Sequence, residues 1–311
     1  MEGVPLGPQE KPGTLLFLPG TGRPNPALSD QVREQVNTVP GLSGWSVQTI
    51  EWAAAAAENV SGVPALPERY SAEDPPALSD ASLALALFGA DVSTADPVRQ
   101  ASVAGAVPSV PEAARLGETL QDLVLGVVTD AAVRHRIRLT DAAGDFFSKV
   151  AYYLRQGEGA RTVLADALGS TDQDAPVVLF AHSLGSVAAV DLLSSPDFTG
   201  SRVDLLVTLG SPAPWFYQLD ALAYLGPGRG GNAPAAPWLN FWDERDLFAF
   251  CAERVFAGRM GRITDSEVQS GKPFPESHQA YFSDPRVYRL LWEHLQETES
   301  GKPGSGNGTG V

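Results

Sequence analysis

The chain has 311 residues, of which 43% are hydrophobic, enough for one large α/β domain with an insertion or for two domains. A formal net charge of −15 argues against binding to nucleic acid or to an anionic membrane. One cysteine excludes an intrachain disulfide. Because we find no signal-peptide pattern and no apolar run long enough to span a bilayer, we expect a cytoplasmic protein without a stable membrane anchor.

The first predicted elements alternate between strand and helix. Residues 1–13 are rich in proline and glycine, and we expect a flexible lead-in there. The apolar run 14–18 predicts a buried strand, and the glycine-rich segment 19–24 follows it directly. Apolar residues four apart predict a helix over 27–39, and a second strand is predicted over 45–52. This order favours an α/β protein with a parallel sheet.

The alternating pattern breaks between residues 53 and 140. This stretch contains a run of alanines, a proline-rich region and one amphipathic helix, and it is too long for a plain connection between core elements. We therefore predict a partly helical insertion over 53–140 that acts as a cap or lid, with a partner-binding module as the alternative. Residues 299–311 are predicted to form a disordered tail, which leaves 14–298 as one domain.

The stretch 176–193 changes from strand to helix through a five-residue turn. Residues 177–180 form a continuous apolar run, which predicts a strand buried on both faces. From Leu184 onward apolar residues recur at helical spacing. Ser183 lies at the centre of the turn, with small residues two positions before and after it. Such a turn strains the serine backbone and lifts the hydroxyl above the sheet edge.

The turn Ala181-His182-Ser183-Leu184-Gly185 resembles the nucleophile elbow of the α/β-hydrolase family, and within it the lipase- and esterase-like members. Ala181 departs from the usual glycine by one methyl group. The resemblance implies a three-layer α/β-hydrolase fold, with a mostly parallel sheet and helices on both faces. An ordinary strand–helix turn with an incidental serine is the alternative.

The resemblance also implies roles for individual residues. Ser183 is the expected nucleophile, and the backbone N–H groups of Leu184 and Thr21 are the expected oxyanion hole. Thr21 belongs to the glycine-rich loop after the first strand, where the family has its second oxyanion donor. An ordinary glycine turn is the competing interpretation of that loop.

The resemblance places the base and the acid later in the chain. Of four histidines, His278 precedes the closing helix, where the family has its base. The acid is expected after the strand predicted at 238–242, and both Asp243 and Asp246 lie there. The segment Asp246-Leu247-Phe248 resembles the family pattern, so we predict Asp246 as the acid and keep Asp243 as the alternative.

Several further expectations concern the surroundings of this site. Two helices are predicted over 141–154 and 161–168, and an irregular loop over 253–275. The aromatic residues 215–217 suit either an acyl pocket or the core. We expect the His182 side chain to point away from Ser183 toward the sheet, and His278 to lie in a loop.

Together these residues predict a serine hydrolase that cleaves an acyl ester through an acyl-enzyme. The implied partner is a small or lipidic acyl substrate. The chemistry requires no cofactor, and one cysteine without paired histidine spacing argues against a zinc site. Acyl transfer to another acceptor, amide hydrolysis and a catalytically silent binding or scaffold protein remain alternatives.

Overall fold

A computed structural model describes residues 11–20, 25–53, 136–229, 236–258 and 261–300. The chain divides into two compact units. The larger comprises 1–57, 150–272 and 276–311, and the smaller comprises 58–149 and 273–275. Residues 54–135 of the predicted insertion, most of the predicted lead-in and all of the tail after residue 300 lie outside the described residues.

Strands and helices alternate along the described residues. The strands are β1 (Thr14–Leu18), β2 (Ser46–Thr49), β3 (Val177–His182), β4 (Leu205–Leu209), β5 (Trp238–Trp242) and β6 (Ile263–Glu267). The helices are α1 (Pro26–Thr38), α2 (Arg136–Gly169), α3 (Leu184–Ser194), α4 (Ala213–Gln218), α5 (Glu276–Ala280) and α6 (Pro285–Ser300). A 3-10 turn, Tyr281–Ser283, joins α5 to α6.

The six strands form one sheet in the order β2-β1-β3-β4-β5-β6, and every neighbouring pair is parallel. Successive side chains of β1 enter different apolar cores, as strand geometry requires. Leu15 and Phe17 belong to a core with residues of α1 and α6, whereas Leu16 and Leu18 belong to a core with residues of α2 and α3. Both faces are therefore covered by helices, and the predicted three-layer α/β fold with a parallel sheet is confirmed.

The strand order reverses between β1 and β3. From β1 the chain continues to β2 on one side, and β3 to β6 follow on the other. In open α/β sheets, ligands bind beyond the carboxyl ends of the strands at such a reversal. Gly20 follows β1 and Ser183 follows β3 at this point, so the fold brings both predicted site segments to the same edge.

Two helices predicted separately are one. α2 runs without a break through Gly157 and Gly159. Each glycine costs about 1 kcal/mol relative to alanine inside a helix, but no proline interrupts the hydrogen bonds, and one face stays buried across the join. The buried residues on this face are Tyr153, Ala160, Leu164 and Leu168. Their burial explains why the glycines do not end the helix.

The segment predicted as an irregular loop over 253–275 contains β6, so that prediction was wrong. Its sequence, Ile-Thr-Asp-Ser-Glu, is mostly polar, because β6 is an edge strand that no apolar core covers fully. His278 lies in the short helix α5 rather than in a loop. Among the described residues, no helix is both long and apolar enough to cross a membrane.

Candidate active site

The turn between β3 and α3 has a backbone conformation that is rare for residues other than glycine. Ser183 lies there with φ 52° and ψ −127°. Strained conformations of this kind cost on the order of 1–3 kcal/mol and persist only where the surrounding structure holds them. Ser183 also precedes the first turn of α3, whose backbone N–H groups have no intrahelical acceptor.

Hydrogen bonds hold the Ser183 backbone from both sides. Its N–H donates to the carbonyl oxygen of Leu209 at the end of β4, at 3.0 Å. Its carbonyl oxygen accepts from the N–H of Ser186 at 2.9 Å and from the Ser186 hydroxyl. The Ser211 hydroxyl lies 2.6 Å from that of Ser186. These bonds tie the strained residue to both β4 and α3.

Two glycines allow the chain to pass close to the turn. A Cβ atom at Gly185 would lie 2.6 Å from the carbonyl oxygen of Leu18, and one at Gly20 would lie 2.6 Å from the Cβ of Ser183. Such distances are too short for real atoms, so neither position accepts a side chain unless the neighbouring chain moves. Ala181 is fully buried on β3, where the fold accommodates its methyl group.

His278 and Asp246 form a close pair at the same edge of the sheet. The Nδ1 atom of His278 lies 2.9 Å from each carboxylate oxygen of Asp246. The Phe248 N–H donates to Oδ1 at 3.0 Å, and the Tyr281 hydroxyl donates to Oδ2 at 2.7 Å. Three donors therefore converge on one carboxylate, whose side chain is fully buried.

The electrostatics of the pair fix the position of the imidazole proton. Burial alone would raise the pKa of Asp246, but the hydrogen bonds and charge of His278, together with the Tyr281 hydroxyl and the Phe248 N–H, hold that pKa below its ordinary value. Asp246 is therefore ionised and can only accept, so the His278 proton lies on Nδ1. Neutral His278 then carries a lone pair on Nε2, the arrangement that a general base needs.

Asp243 has different partners. Its carboxylate accepts the N–H of Arg245 at 2.9 Å and the N–H of Ser270 at 2.9 Å. Its own carbonyl oxygen accepts the N–H of Asp246 at 3.0 Å. Asp243 thus closes the turn after β5 and anchors the segment after β6, while the structure brings Asp246, not Asp243, into contact with His278.

The turn at Ser183 and the His278–Asp246 pair lie next to each other. Leu209, which accepts the Ser183 N–H, is followed by Gly210, and a Cβ atom built on Gly210 would lie 2.5 Å from Asp246 Oδ2 and 3.0 Å from His278 Nδ1. Because Leu209 contacts Ser183 and the adjacent Gly210 contacts the pair, Ser183 and the pair lie at the same edge of the sheet. Of the predicted oxyanion donors, Leu184 begins α3, and Thr21 lies outside the described residues.

His182 is a part of the site that the sequence did not indicate. Its ring centroid lies 4.5 Å from that of His278, and its Nε2 donates to the His278 carbonyl oxygen at 2.7 Å. Burial, together with repulsion from the His278 ring when that ring is protonated, lowers the pKa of His182 to about 3, so His182 stays neutral. Strand alternation could have shown that His182 shares a sheet face with Phe180 and Val178, but not that the segment carrying His278 packs there.

The aromatic residues 215–217 divide between core and surface. Phe216 and Tyr217 are buried in the core. Trp215 is 50% exposed and stacks on Phe250 with 5.5 Å between ring centroids. In the described part of the chain, no group of three or more His, Cys, Asp or Glu side chains is placed to hold a metal ion.

Comparisons with known proteins leave the family open. No family model matches the chain, and no curated protein matches it. Among solved structures, a "putative YdeN-like hydrolase" from Pectobacterium atrosepticum is similar at 14% identity, covering 43% of this chain and 71% of its own, with a TM-score of 0.28. A similarity this low carries no functional argument, so function has to be argued from the site.

Proposed function

We propose that this protein is a serine hydrolase of the α/β-hydrolase type that cleaves an acyl ester through Ser183, His278 and Asp246. The proposal is supported by two features that lie together at the carboxyl end of the sheet. A serine is held in a strained turn at a helix N-terminus, and beside it a histidine has both oxygens of a buried aspartate 2.9 Å from Nδ1. A serine, a base and an acid that orients the base are the parts that acyl transfer needs.

In the proposed reaction, the Ser183 Oγ attacks the acyl carbonyl carbon while His278 Nε2 takes the hydroxyl proton. The carbonyl electron pair moves to oxygen, and the backbone N–H of Leu184 stabilises the resulting oxyanion, with Thr21 as the second donor. The intermediate then expels the alcohol, which takes its proton from His278. Water then attacks the acyl-enzyme while His278 takes its proton; the bond between the acyl carbon and Ser183 Oγ breaks, the carboxylic acid is released, and Ser183 takes the proton back from His278. Asp246 stabilises the imidazolium in both steps.

The test uses a fluorophosphonate probe and p-nitrophenyl esters of graded chain length. The probe should label the wild-type protein, and the label should map to Ser183. Ser183→Ala should abolish labelling and lower the rate of ester hydrolysis by about 10⁴-fold or more, because the nucleophile is lost.

Ser194→Ala is the matched control. Ser194 ends α3, the helix that Ser183 precedes, and its hydroxyl donates to the Val190 carbonyl oxygen at 2.7 Å. This variant should label and turn over as the wild type does. A folded wild-type protein that neither reacts with the probe nor hydrolyses any ester would refute the proposal in favour of a silent scaffold.

A further inference from the structure

Tyr281 contacts the candidate acid from the same short segment that carries the base. It begins the 3-10 turn three residues after His278, it is fully buried, and its hydroxyl donates to Asp246 Oδ2 at 2.7 Å. The same oxygen lies 2.9 Å from His278 Nδ1. Oδ2 therefore accepts from two donors, and the phenol is the closer of the two.

We propose that Tyr281 is a positioning residue that shares the Asp246 carboxylate with His278 and so limits how strongly Asp246 stabilises the imidazolium. This inference rests on the proposed function, in which the imidazolium forms when Ser183 gives up its proton. A hydrogen bond from the phenol stabilises the negative charge of Asp246, and this weakens the interaction of that charge with the imidazolium. A base held too strongly in its protonated form would return its proton slowly to the leaving group.

The other ionisable groups around the pair do not provide this control. His182 faces the His278 ring, but burial lowers its pKa to about 3, so it carries no charge above that pH. Asp243 acts electrostatically on Tyr281, yet its carboxylate binds the backbone N–H groups of Arg245 and Ser270. Burial and the charge of Asp246 raise the pKa of Tyr281 well above its ordinary value, so the phenol remains a donor throughout.

Tyr281→Phe tests the proposal, because it keeps the ring and removes only the hydroxyl. The readout is the pH titration of the His278 ring signals by NMR, which needs no turnover and is assigned with His278→Asn. The midpoint should move to higher pH by about half a unit, or roughly threefold in the equilibrium constant. The acidic limb of the kcat/KM profile should move in the same direction.

Tyr288→Phe is the matched control. Tyr288 is also fully buried, and its hydroxyl donates to the Phe282 carbonyl oxygen at 3.1 Å, away from Asp246. Tyr288→Phe should leave the midpoint of the His278 titration unchanged. As a second variant, 3-fluorotyrosine at position 281 keeps the hydroxyl, makes it a stronger donor and should lower the midpoint.

An unchanged or lowered midpoint in Tyr281→Phe, or a raised one with 3-fluorotyrosine, would overturn the inference. The two proposals fail separately. A protein that hydrolyses esters but shows no shift refutes the role of Tyr281 alone. A protein that shows the shift but hydrolyses nothing refutes the hydrolase proposal and retains the coupling of Tyr281 to the pair.

Discussion

Replacing the candidate acid by its amide is the most informative perturbation of the site. Both oxygens of Asp246 lie 2.9 Å from His278 Nδ1, so in Asp246→Asn a neutral carbonyl oxygen takes one position and an NH₂ group takes the other. The neutral amide no longer stabilises the imidazolium as the carboxylate does. In either orientation the NH₂ group also lies within reach of Nδ1. A donor there favours the tautomer with the proton on Nε2, which cannot accept the proton of Ser183. The equivalent change in a serine protease triad lowers kcat by about 10⁴-fold, which corresponds to roughly 5–6 kcal/mol of activation free energy.

The assay is steady-state hydrolysis of a short p-nitrophenyl ester, with Asp243→Asn as the control. Asp243→Asn changes a buried carboxylate of the same turn that binds only backbone N–H groups in the described structure. It should lower the free energy of unfolding while leaving kcat within about tenfold of the wild type. If Asp243→Asn reduced kcat more than Asp246→Asn, the acid would be Asp243 and the argument from contacts would be wrong.

The wild type and Asp246→Asn should also differ in how their free energies of unfolding depend on pH. The folded pKa of Asp246 is lowered by its donors, so the ionised carboxylate stabilises the fold above its unfolded pKa of about 3.9. This contribution is lost as the pH falls from that value through the folded pKa. Urea unfolding should therefore show the wild type more stable than Asp246→Asn at neutral pH, with the difference shrinking below about pH 4. A difference that grew toward low pH would contradict this assignment.

Two further substitutions test how the site is held. His182→Phe removes the donor to the His278 carbonyl oxygen but keeps a buried ring. We therefore expect steady-state kinetics to show a kcat that falls about tenfold or less, with KM nearly unchanged. An unchanged kcat would show that this hydrogen bond does not position His278. Gly20→Ala places a Cβ atom 2.6 Å from that of Ser183. Labelling by the fluorophosphonate probe should therefore slow at least tenfold. Labelling at the wild-type rate would show that the segment carrying Gly20 moves away from Ser183 without affecting its reactivity.

The sequence predicted those parts of the fold whose cause is local. β1 and β3 are almost entirely apolar because both their faces are buried, and both strands form where the apolar pattern predicts them. The final helix begins at Pro285, directly after Asp284, and aspartate and proline are residue types that favour the N-cap and N1 positions. The place of Ser183 in the turn is also predicted locally, because the apolar pattern of residues 176–193 fixes where the strand ends and where the helix begins.

The parts that the sequence did not predict depend on contacts distant in the chain. Nothing near His182 indicates that its ring will meet His278, 96 residues later. Tyr281 has the spacing of an ordinary core residue, and only the turn after β5 makes its hydroxyl a partner of Asp246. The segment of β6 lacks an apolar pattern because an edge strand does not need one. The glycines of α2 lower its helix propensity, and only the burial of one face of α2 shows that the helix continues through them.

The position of His278 depends on core packing as well as on its polar contacts. Phe282, next to Tyr281, packs edge-on against Phe17 of β1 at 5.6 Å between centroids and against the His182 ring at 4.9 Å. Tyr288 of α6 stacks on Phe180 of β3 at 5.7 Å. The segment carrying His278 is therefore fixed to the two strands that also deliver Gly20 and Ser183. Because close-packed aromatic rings allow little displacement, we expect this packing to hold His278 at a fixed distance from Ser183.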